Sequence, residues 1–275
     1  MWCGYHYLDY KKAFDSVPHR RLVCKLEGYG ISGNLLLWLT DFLCQRSQRV
    51  IVDGACSKWC RVTSGVPQGS ILGPLLFIIY INDLSENIHC NIQQYADDTK
   101  LYATIKDNSD VLQFQHDLDN TAEWSNLWQL SFSFEKCKHM QVGNLSSVDY
   151  NLMDYDCGER KNICHVDKEM DLGIWCTADL KSSLQCRHAV SKAMKALGLI
   201  KRTFKYFNIY SLSKLYKTYV RPHLEYCVQV WSPYLAGDID ILEKVQHRAT
   251  KLIAGIADLP YEQRNRILNL HSLYA

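Results

Sequence analysis

Short alternating runs separated by longer helical ones set the pattern of this chain. Tyr5-His6-Tyr7-Leu8 is aromatic-rich and strand-like and is closed by Asp9. Two more strand-like runs, Asn91 to Tyr95 and Thr99 to Thr104, flank Ala96-Asp97-Asp98. A strand so near the first residue, with no partner before it, predicts further sequence upstream. In between, Pro18 suits the first turn of a helix running to about Tyr29 and stopped by Gly30. Leu35, Leu36, Trp38, Leu39, Phe42 and Leu43 then recur at three-to-four spacing and predict a second helix over 33–43. Gln48 to Val52 and Lys58 to Thr63 read as two strands joined through Asp53-Gly54, a dipeptide that tight hairpins prefer. Ser64-Gly65-Val66-Pro67-Gln68-Gly69-Ser70 reads as a flexible loop. The helix after it is capped by Ser70, or by Gly73 with Pro74 in its first turn, and carries Leu75 to Ile79 towards Asn82-Asp83.

Beyond the second acidic turn, Val111, Phe114, Leu118 and Ala122 make a core-facing stripe on a helix predicted over 108–127. Phe132 to Val142 reads as extended, 144–161 as a loop or weak hairpin, and Asp171 to Trp175 as a short strand whose Gly173 permits a close backbone approach. From Asp179 onward the pattern is helical, over 184–207, 211–226, 238–254 and 261–270. The change places a boundary near 176–180, with a mixed α/β domain over 1–178 and a helical region over 179–275.

Composition changes this picture in one respect. With 47% hydrophobic and 22% charged residues, the 275-residue chain has the makings of an ordinary globular core. Its net charge of +2 hides an asymmetry: residues 181–251 carry +9 and the remainder −7. A polyanion-gripping part beside a cation-binding part would look like this, as would helix faces with surplus lysine. The twelve cysteines are scattered, Cys56 and Cys60 have no second pair at zinc-ribbon spacing, and no secretory leader pattern opens the chain, so reduced thiols are expected. Cys164-His165 reads as packing or surface chemistry. The longest apolar run, Pro74 to Ile81, is far short of the roughly 20 residues of a membrane span, so a soluble protein inside a cell is expected.

Asp97 and Asp98 side by side at a hairpin tip repel each other, and a divalent cation is the simplest partner that relieves them. The plain alternative is a solvated turn whose carboxylates bond nearby backbone. Asp9 at a strand end and Asp97 at the hairpin fit two-metal phosphoryl transfer, which takes carboxylates from different strand ends to hold cations about 4 Å apart. If 9–15 stayed extended, Asp9 and Asp15 would be roughly 20 Å apart at about 3.3 Å per residue, so only one reaches the hairpin. Asp9 is favoured, and Asp15 reads as a cap or a structural hydrogen-bonding group.

Tyr7-Leu8-Asp9-Tyr10-Lys11-Lys12-Ala13-Phe14-Asp15-Ser16-Val17-Pro18-His19, then Ser64 to Phe77, then Tyr95-Ala96-Asp97-Asp98 closely resemble the first three palm motifs of reverse transcriptases. The flavour is that of non-LTR, LINE-type retrotransposons of the jockey and chicken-repeat kind. Phe134 to Met140 and Asp171-Leu172-Gly173-Ile174 are similar to two later palm motifs. Leu197 to Arg202, Arg221 to Tyr226 and Trp231-Ser232-Pro233 are similar to segments downstream of the palm in the same elements.

The resemblance implies an α+β right-hand polymerase, with an antiparallel palm sheet and packed helices over 1–178 and an all-α, thumb-like region over 179–275. It implies an RNA-directed DNA polymerase in which Asp9, Asp97 and Asp98 are the catalytic ligands of two magnesium ions, with manganese a possible substitute and the Tyr10 carbonyl adding an oxygen. Phe14 falls where the family keeps an aromatic under the sugar, which would reject a 2′-hydroxyl. Gln68 and Gly69 fall where the loop contacts the nucleotide or template. Lys136 falls where a lysine serves near the pyrophosphate, although an isolated lysine is ordinarily solvated. Trp175 matches a place where the primer strand is held, with packing an equal alternative. The implied partners are an RNA template, a DNA primer or target DNA and deoxynucleoside triphosphates, with no membrane. The implied compartment is cytoplasm or nucleus. A basic thumb would hold an A-like hybrid through phosphates and shape.

Departures from the family pattern set up a second reading. A fingers region and an endonuclease are expected before Asp9 in such polymerases, Ser133 stands where an asparagine is common, and Leu268 to Ala275 reads as stopping in mid-domain. A sheet short of strands is expected to expose an edge and to fold marginally. The alternative is therefore a catalytically inactive retroelement remnant that binds nucleic acid. An RNA-templated RNA polymerase comes third, since Phe14 and Pro67-Gln68-Gly69 favour DNA synthesis.

Overall fold

The computed structural model describes residues 1–143 and 148–273; residues 144–147, which open the stretch read as a loop or weak hairpin, and 274–275, the tip of the C-terminal stretch read as stopping in mid-domain, lie outside the described residues. The chain divides into two compact units, Met1–Asp167 and Lys168–Ala275.

The first unit is built on β1 (Trp2–Leu8), whose residues alternate between buried and half-buried. Trp2, Gly4, His6 and Leu8 face inward, as period-two patterning requires. The helices α1 (His19–Gly28), α2 (Gly33–Leu43) and α3 (Leu72–Ile81) come next, then β2 (Asn91–Tyr95), β3 (Asp98–Ile105), α4 (Asn108–Trp128) and β4 (Lys138–Val142). A small hairpin of β5 (Asn151–Asp154) and β6 (Glu159–Asn162) precedes β7 (Cys164–His165). The main sheet runs β7-β4-β1-β3-β2. Both neighbours of β1 therefore come from later in the chain: β3 pairs with it antiparallel from Trp2↔Ile105 to Leu8↔Thr99, and β4 from Cys3↔Val142 to Tyr7↔Lys138.

α4 covers the buried face of β1. Asp107 caps it by accepting from the Ser109 and Asp110 amides, and Phe114, Leu118 and Ala122 are buried as the stripe predicted. The Phe114 ring lies 4.2 Å from the ring of His6, and a Cβ at Gly4 would come within 2.8 Å of it. Leu22, Leu26, Leu43, Leu76, Phe77 and Tyr80 complete this core.

Three sequence expectations change here. The pair of strands through Asp53-Gly54 is interrupted, with Ser47–Gln48 paired to Cys60–Arg61 and Ile51–Val52 paired to Ala55–Cys56. The extended stretch expected over 132–142 is a strand only from Lys138, because the amides of Lys136 and Cys137 both turn back to the Ser133 carbonyl, at 2.9 and 3.1 Å. The loop 64–70 is held by backbone hydrogen bonds, Gly65 N–H to Val17 O and Val66 N–H to Phe14 O, both 2.8 Å.

The second unit opens with a hairpin of β8 (Lys168–Asp171) and β9 (Ile174–Thr177). Gly173, expected within a strand, is instead in the turn with φ +85°. The helices are α5 (Ser183–Thr203), α6 (Ile209–Leu215), α7 (Arg221–Glu225), the single turn Val228–Trp231, α8 (Ala236–Thr250) and α9 (Tyr261–Leu268). The helix expected over 211–226 starts earlier, at Ile209, where Asn208 and Ser211 form a reciprocal capping box. It widens into a π-turn over Tyr216–Val220 just before Pro222, whose missing N–H cannot continue the regular ladder. α5 and α8 pack through Cys186, Ala189, Ala193, Leu242, Val245 and Ala249. The buried Gln246 accepts from Tyr216 Oη and donates to Tyr261 Oη, both at 3.0 Å, and to the His271 carbonyl.

Candidate active site

The register of β1 against β3 decides where the acids lie. Residue numbers in each pair sum alike, so the step after Leu8↔Thr99 brings Asp9 to the same end of the ladder as Asp98. Asp97 sits in the two-residue turn between Tyr95 and Asp98, which pair across it. Ala96 closes that turn in the left-handed region with φ +53°, a conformation a side chain adopts only when the surroundings enforce it. Asp97 is half-buried and Asp98 exposed.

Asp9 is anchored from the chain segment after α4. Its carbonyl accepts from the Ser133 N–H at 2.7 Å, and Cys137 Sγ lies 3.8 Å from the same oxygen. Its carboxylate, 37% exposed, holds Lys136 Nζ at 3.2 and 3.4 Å from its two oxygens. Tyr10 points the other way: its ring is buried and stacks on Phe132 at 4.6 Å, and burial pushes its phenol well up.

The glycine-rich loop lies against the segment after Asp9. Ser64 Oγ donates to the Asp15 carbonyl and Gln68 Nε2 to Asp15 Oδ1, each at 2.9 Å. Asp15 thus positions Gln68. Gly65 is required here, since it has φ +86° and a Cβ would lie 2.7 to 2.9 Å from the Asp15 backbone. Gly73 is equally constrained, because a Cβ there would be 2.3 Å from the Pro67 carbonyl oxygen. Ser70 Oγ accepts from the Gly73 N–H at 2.9 Å and donates to Pro67 O at 2.7 Å, tying the loop to the start of α3. Phe14 stacks on Phe77 of α3 at 4.4 Å and remains half-buried, while Gln68 and Gly69 are exposed.

The structure therefore brings Asp9, Asp97 and Asp98 to one end of the sheet and adds Lys136 to them. Phe14 and Gln68 are joined to one another through 14–18 and the loop. Among the described residues no three His, Cys, Asp or Glu side chains converge as a metal cluster. The donor set is nonetheless all carboxylate oxygen, the type a hard divalent cation takes, and the Lys136 ammonium shows that the Asp9 carboxylate accepts a positive charge. Sequence reasoning missed the Lys136 contact, which spans 127 positions, and the role of Ser133 in building the turn that carries it. Trp175 packs its ring edge-on against His188 at 6.1 Å, and its backbone N–H donates to Gln185 Oε1. No helix among the described residues is long and apolar enough to cross a membrane.

Comparison with known proteins agrees with this geometry. Residues 3–200 match the family model for reverse transcriptase (RNA-dependent DNA polymerase). The chain is 27% identical, over 94% of its length, to the RNA-directed DNA polymerase from mobile element jockey of Drosophila melanogaster, and 27% identical over 96% to the corresponding Drosophila funebris protein. It spans 29% of the length of each of these relatives. A probable RNA-directed DNA polymerase from transposon BS of Drosophila melanogaster is 24% identical over 99% of the chain and 31% of the relative. Among solved structures, telomerase from Candida albicans in complex with a fragment of telomeric RNA superposes with a TM-score of 0.52 at 11% identity, covering 98% of this chain and 50% of that one. At that identity the likeness shows the fold, a right-hand polymerase fold with a palm-like sheet.

Proposed function

The chain belongs to the reverse transcriptase family, in its non-LTR retrotransposon branch, and from that premise we propose that it is the palm and thumb portion of an RNA-directed DNA polymerase. The observation that carries this reading is the convergence of Asp9 and the Asp97-Asp98 turn at one end of the β1–β3 ladder. Reverse transcriptases generally use divalent metal ions. Asp9, Asp97 and Asp98 would hold two magnesium ions here, and bound cations would make the primer 3′-hydroxyl a better nucleophile and neutralise the departing pyrophosphate.

The chain's own groups supply the rest. Phe14, backed by Phe77, gives a rigid apolar wall against a 2′-hydroxyl. Gln68, held by Asp15, would contact the nucleotide or template. Lys136, which bonds the carboxylate of Asp9, would neutralise charge on the pyrophosphate or donate an Nζ proton to it. Residues 1–178 would form the palm and 179–275 the thumb, whose lysines and arginines grip an RNA–DNA hybrid through its phosphates.

The test is primer extension by the purified chain with magnesium or manganese, an RNA template, an annealed DNA primer and deoxynucleoside triphosphates. Extension is expected, and Asp97→Asn reduces it to background. Replacing Phe14 with Val raises the ratio of ribonucleotide to deoxynucleotide incorporation. A second reading, a remnant that binds nucleic acid without catalysis, draws on the absence of a three-acid cluster among the described residues. It gains the field if the unmutated chain binds the hybrid in a salt-sensitive way and extends nothing.

A further inference from the structure

Between α2 and the glycine-rich loop the first unit carries a two-stranded ribbon. Its ladders, Ser47–Gln48 with Cys60–Arg61 and Ile51–Val52 with Ala55–Cys56, are joined by Ser57 N–H to Val50 O at 2.9 Å and closed by a turn in which Asp53 and Gly54 both have positive φ. Every residue from Ser47 to Arg61 is exposed. That includes four large apolar side chains, Val50, Ile51, Val52 and Trp59, the last 63% exposed. Isolated two-stranded ribbons are marginal in water, and apolar groups grouped this way usually meet a partner.

Charge identifies the partner. Arg46, Arg49, Lys58 and Arg61 face a single acid, Asp53. The Arg49 guanidinium lies 4.7 Å from the centre of the Trp59 ring, so a flat aromatic face and a cation are presented together. At the foot of the ribbon is a cleft of about 700 Å³ whose lining includes Arg20, Arg21, Arg61 and Thr63 and no carboxylate. A protein partner would find the apolar residues diluted by cations that have no carboxylate partner among the described residues. A polynucleotide finds phosphate counter-charges in the cleft and a stacking platform on the ribbon, the combination that single-strand binding uses. A duplex has no free base to place on Trp59.

We propose that the ribbon 46–61 and the cleft at its foot form a binding site for a single-stranded polynucleotide, with Trp59 stacking on a base and Arg46, Arg49, Arg61 and Arg20 contacting phosphates. From Ser47 to Asp53 the ribbon reaches about 20 Å at about 3.3 Å per residue, long enough for several nucleotides. If the polymerase reading holds, that strand is unpaired template. Single-strand binding itself does not depend on synthesis.

The experiment is fluorescence anisotropy of the full chain with a labelled single-stranded 20-mer, as RNA and as DNA, and with the matching duplex. Trp59→Ala weakens binding of the single strand about tenfold and leaves the duplex unaffected. The triple change Arg46→Ala, Arg49→Ala, Arg61→Ala flattens the logarithmic salt dependence for the single strand by about 2, close to 0.7 per lost contact. The RNA and DNA arms show which strand is preferred. Arg49, Trp59 and Arg61 are exposed and outside the core, so thermal melts of the variants should stay close to that of the parent, which separates binding from folding. Unchanged affinity and salt slope in both arms overturn the proposal. So does a sedimentation result in which Trp59→Ala dissociates a dimer while single-strand affinity stays put, which assigns the ribbon to a second copy of the chain. Asp97→Asn loses extension and keeps single-strand binding, so failure of the catalytic reading and failure of this one are told apart.

Discussion

Lys25 and Lys136 each bond an aspartate in the first unit, at 2.5 Å to Asp83 and 3.2 Å to Asp9, in opposite surroundings. The Lys25 side chain is 3% exposed. Its ammonium also meets the Tyr80 carbonyl at 2.5 Å and lies 4.8, 4.7 and 3.8 Å from the rings of Tyr80, Trp124 and Trp128. Asp83 accepts a further bond from Trp124 Nε1 at 2.9 Å. Burial lowers the pKa of Lys25, and the bond to Asp83 opposes that shift. Lys136 is 66% exposed, and its aspartate ends a strand beside two further acids. The first pair is a closed structural joint with a single arrangement of partners. The second is open to water, as the proposed cation site requires.

The sharpest way to break this contrast is to remove each lysine. Lys25→Ala strands the Asp83 carboxylate among aromatic rings, and a loss of about 3 kcal/mol is expected in urea unfolding. A loss under about 1 kcal/mol would make the two pairs equivalent and refute the distinction.

The interior of the same unit also carries a pH signature. His6 and His139 are buried with rings 4.8 Å apart. Burial, and after it the cost of charging beside a second imidazole, His139 for His6 and His165 for His139, holds His6 well below the usual range and brings His139 down to about 4. Both fold as neutral rings, so below about pH 6.5 the unfolded chain binds protons that the folded chain refuses. Stability is then complete above pH 6.5 and falls with acid by about 1.4 kcal/mol per pH unit for each ring, for His139 down to about pH 4. Urea unfolding at pH 7.0 and 5.5 measures it, and His139→Leu should remove about half of the slope. An unchanged slope in that variant would place the acid sensitivity elsewhere.

Two smaller effects sharpen the picture of the open end. Ala96→Gly relieves the left-handed turn beside Asp97 and is expected to raise stability by about 0.5 to 1 kcal/mol, the relief being partly offset by a more flexible unfolded chain. Lys136→Ala should change stability by no more than about 0.5 kcal/mol at moderate salt, because an exposed pair is screened and entropically costly. Thermal unfolding at two salt concentrations checks both variants.

The parts of this fold legible in the sequence are those with local causes. The α4 stripe, the α2 spacing and the acidic turn flanked by strands arise from period and turn chemistry. The motif resemblance supplied the order of the palm. The features that the sequence did not disclose depend on distant partners. No local signal marks the Lys136 turn, which Ser133 builds and the carboxylate of Asp9 completes. Lys25 looks like any surface lysine until α3 and α4 close over it. Gly173 carries the same composition cue in a strand or in a turn, and only the pairing of β8 with β9 decides between them.

The loop 64–70 has the composition of a segment that moves freely, and its backbone bonds to 14–18 say otherwise. Gly65 and Val66 are buried and donate to Val17 and Phe14. Their amide hydrogens should therefore exchange with deuterated solvent on the slow timescale of the central strand, while that of exposed Gly69 exchanges early. A stretch that passes for slack chain is thereby part of the last structure in this unit to come apart.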